Sequence, residues 1–177
     1  MITIQNLAFS YSKQPVLKNI SLTLEEGKIY GLLGENGVGK TTLLSLLSGL
    51  IRPEEGTISV ENRNPYKREP SFLNDVFFLS DEVLPQNCPA TVWAQSTGVF
   101  WSGFDNAKFL QIAKEFDVDP TKKMTQMSAG QLKKIYIAFA LSLNVKVLLM
   151  DEPTNALDIP SKSAFRSAIL KYTREAS

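Results

Sequence analysis

The sequence contains no histidine, so the side chain most often used as a general acid or base near neutral pH is missing, and any base must be a carboxylate or a water. Its single cysteine, Cys88, excludes an internal disulfide framework and a multi-cysteine metal site, and makes a reducing compartment the simpler expectation. Cys88 reads as a small packing residue rather than a nucleophile. No apolar run reaches the ~18 residues needed to cross a bilayer, and Met1-Ile2-Thr3-Ile4-Gln5 lacks the basic start and apolar core of a secretion signal. The chain is therefore expected to stay in the cytosol. An excess of either charge is also lacking. Lys+Arg 19 against Asp+Glu 18 leaves +1, which argues against a broad electrostatic surface for nucleic acid or anionic lipid. Repeats and low-complexity segments are absent.

What is present is an ordinary globular composition, 44% hydrophobic over 177 residues, enough to bury the core of one domain. Ile2 and Ile4, then Leu7, Phe9 and Tyr11, alternate with a phase slip near Asn6. Ile20, Leu22 and Leu24 alternate again after a turn around Pro15. This predicts an antiparallel β edge. The apolar run Ile29 to Leu33 reads as a strand, and a Leu-rich helix is predicted from Thr41 to Ser48, stopping at Gly49. Short strands are predicted at Thr57 to Val60, Val76 to Leu79 and Val147 to Met150, with a polar, proline-punctuated stretch from Glu61 to Asn74. From Asp81 to Gln126 the pattern turns helical. An amphipathic helix starts near Asp105, with Phe109, Ile112, Ala113 and Phe116 on one face. Two further helices are predicted: about Gln131 to Leu143, with Leu132, Ile135, Ala138, Phe139 and Ser142 inward, and about Ser161 to Tyr172.

Gly34-Glu35-Asn36-Gly37-Val38-Gly39-Lys40-Thr41 matches the phosphate-cradling pattern G-x-x-x-x-G-K-[ST] completely, between a strand-like and a helix-like run. Glycines let the backbone approach phosphates, amide N–H groups point inward, and the helix predicted from Thr41, with Thr42 in its first turn, adds its positive end. Lys40 supplies a cation to the β/γ-phosphates and the Thr41 hydroxyl a ligand for Mg²⁺. Val147 to Met150 ends in Asp151-Glu152. There Asp151 would hold Mg²⁺, directly or through water, and Glu152 would orient or deprotonate an attacking water. Ser128 is a good N-cap for the helix that follows; read alone, Met127 to Gln131 is a capped helix start with a flexible glycine, and the free N–H groups of that helix end offer a second anion site.

Taken together, these motifs resemble the ATP-binding cassette (ABC) family over essentially the whole chain. Ser128-Ala129-Gly130-Gln131, preceded by Met127, is similar to the family signature L-S-G-G-Q. Asn155-Ala156-Leu157-Asp158 is similar to the D-loop, and Tyr11 stands where the family places an aromatic that stacks on adenine. The same residue read alone is a strand aromatic in core or edge packing. The resemblance implies an α/β fold with a P-loop NTPase core (1–80 and 127–177), an antiparallel β edge subdomain and an inserted helical subdomain (81–126), in a single cassette domain over 1–177. It implies ATP and Mg²⁺ as ligands, and a head-to-tail pairing with a second cassette in which Ser128 to Gln131 serve the partner's nucleotide. It also implies a transmembrane transporter subunit as partner, no direct nucleic-acid ligand, and a place on the cytoplasmic face of the membrane. The alternative is a soluble ABC-type ATPase or ATP-switched module acting on nucleic acid or ribosomes.

Two departures from the family pattern stand out. Its usual glutamine after Leu79 is replaced by Ser80-Asp81-Glu82, so Asp81 or Glu82 takes that place, and Asp81 is the candidate Mg²⁺ ligand. Its switch histidine, which follows one further strand beyond Tyr172, lies past Ser177, so the fold is expected to be C-terminally truncated and these residues to bind ATP but hydrolyse it poorly.

Overall fold

The computed structural model describes residues 1–174 and divides into two compact units, one through Phe78 and the other from Leu79. In the first unit, β1 (Ile2–Tyr11) is the middle strand of an antiparallel sheet, flanked by β2 (Gln14–Leu24) and β3 (Glu55–Val60). The phase slip lies at Asn6, which takes φ 50° while its N–H donates to the Ser21 hydroxyl at 2.8 Å. The β1–β2 register shifts between Ile4 and Leu7. That offset lets Ile2, Ile4, Leu7 and Phe9 all reach the core although strict alternation would split them between two faces. The turn between β1 and β2 falls at Ser12-Lys13, with Pro15 inside β2 on an exposed stretch. The sequence-based turn around Pro15 is therefore corrected by two residues. Proline is tolerated there because β2 is an edge strand, where a missing N–H need not interrupt a ladder.

Helix α1 (Lys40–Leu47) buries Leu43, Leu46 and Leu47, each worth roughly 1.5–3 kcal/mol in removal from water. It ends where Gly49 adopts φ 72°, the left-handed residue that commonly follows a helix C-terminus. A further correction concerns Ile29 to Leu33. Among the described residues no strand forms there; Ile29, Tyr30, Leu32 and Leu33 are exposed, Leu33 by 92%. An apolar run becomes a strand only when a neighbour pairs with its N–H and C=O groups, and β1, β2 and β3 pair among themselves. Tyr30 instead accepts the Glu25 N–H on its hydroxyl at 2.9 Å. The polar stretch after β3 contains a short helix, α2 (Pro70–Asp75), whose Phe72 is buried. Arg63 forms an ion pair with Asp75. β4 (Val76–Leu79) follows.

In the second unit, α3 (Ala90–Gly98), α4 (Asn106–Glu115), α5 (Ala129–Ser142), β5 (Val147–Met150) and α6 (Ile159–Arg174) follow in order. Asp105 caps α4 by accepting the Lys108 N–H at 3.0 Å, and Phe109, Ile112 and Ala113 are buried as their spacing predicts. Helix α4 packs on α5. α5 is buried more widely than the single predicted face, since Ile137, Ala140, Leu141 and Lys133 are buried as well. Trp93, Trp101 and Phe104 pack their rings around Phe139, at centroid distances of 4.6, 6.2 and 5.6 Å, which accounts for the aromatic content of this stretch. Strand β5 leads into Asp151, whose N–H donates to the carbonyl of Leu79 at 2.8 Å. Helix α6 begins where Asp158 accepts the Ser161 N–H at 2.8 Å, two residues before the predicted start. Asp158's carboxyl is held below its usual range by that serine.

Candidate nucleotide site

In the first unit Gly37 and Gly39 take φ 83° and 104°, conformations that cost glycine nothing and other residues a good deal. A Cβ on Gly39 would stand 2.8 Å from Val16 Cγ1 and 2.9 Å from Leu17 Cδ2, so the loop lies against β2 with room only for glycine. Gly39 is the N-cap of α1 and provides no side-chain cap, which leaves the first amides of the helix to a ligand or solvent. Lys40 Nζ donates to the carbonyls of Gly34 at 2.8 Å and Glu35 at 3.1 Å. Its ammonium is thus folded back over its own loop. Val38 is exposed, Thr41 is exposed at the start of α1, and Thr42 is buried. Tyr11, 52% exposed, ends β1 with its ring edge-on to Phe9 at 4.9 Å and 87°. Such a ring is packed on one neighbour and otherwise about half in solvent.

The second unit carries the acidic pair and the serine-capped turn. Asp151 is buried, and Glu152 is half-buried with φ 42°; a non-glycine residue held there needs surrounding contacts to fix it. One such contact is the Asn155 N–H, which donates to the Glu152 carbonyl at 3.1 Å. Ser128 caps α5 in a reciprocal box. Its hydroxyl accepts the Gln131 N–H at 3.2 Å, and Gln131 Oε1 accepts the Ser128 N–H at 3.0 Å. The helix therefore begins at Ala129, two residues before the sequence-based start. Gly130 packs against the Ala156 carbonyl, leaving 2.8 Å for an added Cβ.

Of the two residues that could replace the family's glutamine, Asp81 is the one drawn into a cluster. Both its carboxylate oxygens accept from Asn155 Nδ2 at 3.1 Å, and Oδ1 faces Lys133 Nζ at 3.4 Å. Lys133 is a residue that sequence reasoning misses. The available signal is a lysine placed among the apolar residues of α5. Among the described residues no group of three or more Asp, Glu or Cys side chains could by itself hold a metal ion.

A glycine loop in left-handed conformation opening a helix with a Lys-Thr pair defines a P-loop nucleotide-binding fold, and the comparisons with known proteins narrow it. Residues 17–155 match the ABC transporter family. The chain is 33% identical to the taurine import ATP-binding protein TauB of Escherichia coli O157:H7, covering 99% of this chain and 69% of that protein. Among solved structures, a putative ABC transporter ATP-binding protein from Pyrococcus furiosus superposes with a TM-score of 0.86 at 27% identity, over 99% of this chain and 87% of that one. A dimeric bacterial ABC transporter cassette shares the fold, with a TM-score of 0.83 at 24% identity over 99% and 84% of the two chains. The chain belongs to the ABC transporter family, as an ATP-binding cassette.

Proposed function

We propose that this protein is the ATP-hydrolysing subunit of an ABC transporter, which binds ATP on its P-loop and powers transport through a separate membrane subunit. The observation that carries this is the P-loop itself: left-handed glycines, a helix start without a side-chain cap, and the Lys40 ammonium poised over the loop. Lys40 exchanges its two carbonyl partners for phosphate oxygens, a charge-assisted contact stronger than those it gives up. Tyr11, half-exposed at the end of β1, is assigned to stack on the adenine. The backbone donors of Gly34, Glu35, Asn36, Gly37, Val38 and Gly39 are assigned to the phosphates, together with those of Lys40, Thr41 and Thr42 at the opening of α1.

Mg²⁺ is assigned to the Thr41 hydroxyl and the Asp151 carboxylate, each on its own motif. When bound, the ion neutralises phosphate charge. A hydroxyl and a carboxylate are each donors that suit Mg²⁺, which is usually held by one or two carboxylates together with substrate phosphates rather than by an all-protein cage. Asp81 is a third candidate ligand. Its two oxygens are engaged by Asn155 and Lys133, so metal binding there would cost those bonds, and we give it a different role below. Glu152 is assigned as the catalytic residue that orients or deprotonates the attacking water.

Ser128, Ala129, Gly130 and Gln131 are assigned to the nucleotide of a second cassette paired head to tail with this one; a dimer is the state named for one of the cassette structures. Among the described residues no helix is long and apolar enough to cross a membrane, so attachment to the cytoplasmic face of a membrane would run through the partner subunit. Import is the direction named for the TauB relative. Replacement Glu152→Gln tests the reading: ATP affinity is expected to stay within about twofold while turnover falls about 10²–10⁴-fold, the range of a lost general base. Wild-type turnover in that variant would refute the assignment.

A further inference from the structure

Lys133 is 2% exposed and has no part in the chemistry assigned above. An ammonium removed from water must recover its hydration from acceptors in the protein. Lys133 Nζ does so with three: the Asp81 carbonyl at 2.7 Å, the Ser80 carbonyl at 3.4 Å and Asp81 Oδ1 at 3.4 Å. The same Asp81 carboxylate accepts from the Asn155 side chain, and the Asn155 N–H in turn holds the Glu152 carbonyl. A continuous set of contacts therefore runs from α5 through Asp81 and Asn155 to Glu152. It spans a backbone that needs holding, because Glu152 and Ala156 sit at φ 42° and 64°, left-handed values unfavourable for residues with a Cβ.

We propose that Lys133 is a positioning residue. Its buried charge fixes the Asp81 carboxylate, which fixes the Asn155 amide, which sets the backbone of Glu152 and registers the 155–158 loop against the start of α5. Asp81 then serves as the link between the loop and the helix. The proposal rests on the reading of Glu152 as the catalytic residue, but the contacts can be tested apart from it.

The test compares Lys133→Met, which keeps most of the stem and removes the charge, with Asp81→Asn and the double variant. Hydrogen exchange is followed at the amides of Asn155 and Leu157, and ATP turnover is measured in parallel. A hydrogen bond to a charged group is worth enough that both amides should exchange about tenfold faster or more in either single variant, while Phe109 and Ile112 in α4 are unchanged. The turnover number should fall about tenfold with KM for ATP moving less than about twofold, and the double variant should be no worse than the poorer single one, because the residues act in series. Asp81 is half-exposed, so Asp81→Asn carries the test if Lys133→Met fails to fold. Unchanged exchange at Asn155, or exchange that rises equally in α4, overturns the proposal. If the wild-type chain hydrolyses no ATP while the exchange changes appear, the positioning contacts stand and the functional reading fails. If the wild type hydrolyses ATP and exchange does not respond, only the positioning role fails.

Discussion

Gly130, in the first turn of α5, lies so close to the carbonyl oxygen of Ala156 that a Cβ added to it would stand 2.8 Å away. Backbone on both sides of that contact makes relief difficult. Gly130→Ala gains helix propensity of up to ~1 kcal/mol and meets an overpacking cost of about 1–3 kcal/mol. A net loss of about 1 kcal/mol is expected, a melting-temperature drop of roughly 2–4 °C for a chain of this size. Gly31, with nothing within 4 Å of its added Cβ, is the control, and Gly31→Ala should leave the melting temperature unchanged or higher. A Gly130→Ala variant as stable as wild type would show that the loop yields freely.

The two apolar runs around the P-loop differ sharply in what they contribute. Leu46 is 1% exposed in α1, whereas Leu33 is 92% exposed. Leu46→Ala should cost about 2–5 kcal/mol in denaturant unfolding, and Leu33→Ala less than about 0.5 kcal/mol. A large loss at Leu33 would mean that this run is packed in solution.

Glu115 joins α4 to α6. Burial pushes its carboxyl up, but hydrogen bonds from Lys171, Tyr172 and Gln111 more than offset this, and the net shift is downward from the ordinary value of 4.5. A depressed folded-state value means a stabilising contribution that is fully present above 4.5 and is lost as pH falls through the folded value. In Lys171→Met the carboxyl, followed by NMR titration, should move up toward the ordinary value. An unchanged midpoint would show that Tyr172 and Gln111 suffice.

Most of the helical pattern was legible in the sequence, because Phe109, Ile112 and Ala113 repeat at helical spacing and Asp105 and Ser128 are N-caps recognisable by residue type. The slip at Asn6 was legible for the same reason, as a break in alternation. The strand expected from Ile29 to Leu33 does not form, because hydrophobicity signals burial or pairing without naming the partner. Helix boundaries moved by about two residues at Ala129 and Ile159, where capping side chains reach further than the apolar stripe. The glycine loop that opens α1 and the two carboxylates that follow β5 were legible as motifs, because phosphate chemistry ties residue type to spacing. Lys133 was not, since its partners Asp81 and Ser80 are far away in the chain and only folding places its ammonium beside them.

Calorimetric titration of the chain with ATP and Mg²⁺ tests whether the Gly34 to Thr41 loop holds ATP. The wild type should bind ATP saturably. Lys40→Ala should weaken that binding about 10–150-fold, the loss of charge-assisted hydrogen bonds. Its melting temperature should change little, because the Gly34 and Glu35 carbonyls that Lys40 leaves behind are in exposed loop residues and can turn to water. A wild type that takes up no ATP, or a Lys40→Ala variant that binds it equally well, would contradict the account.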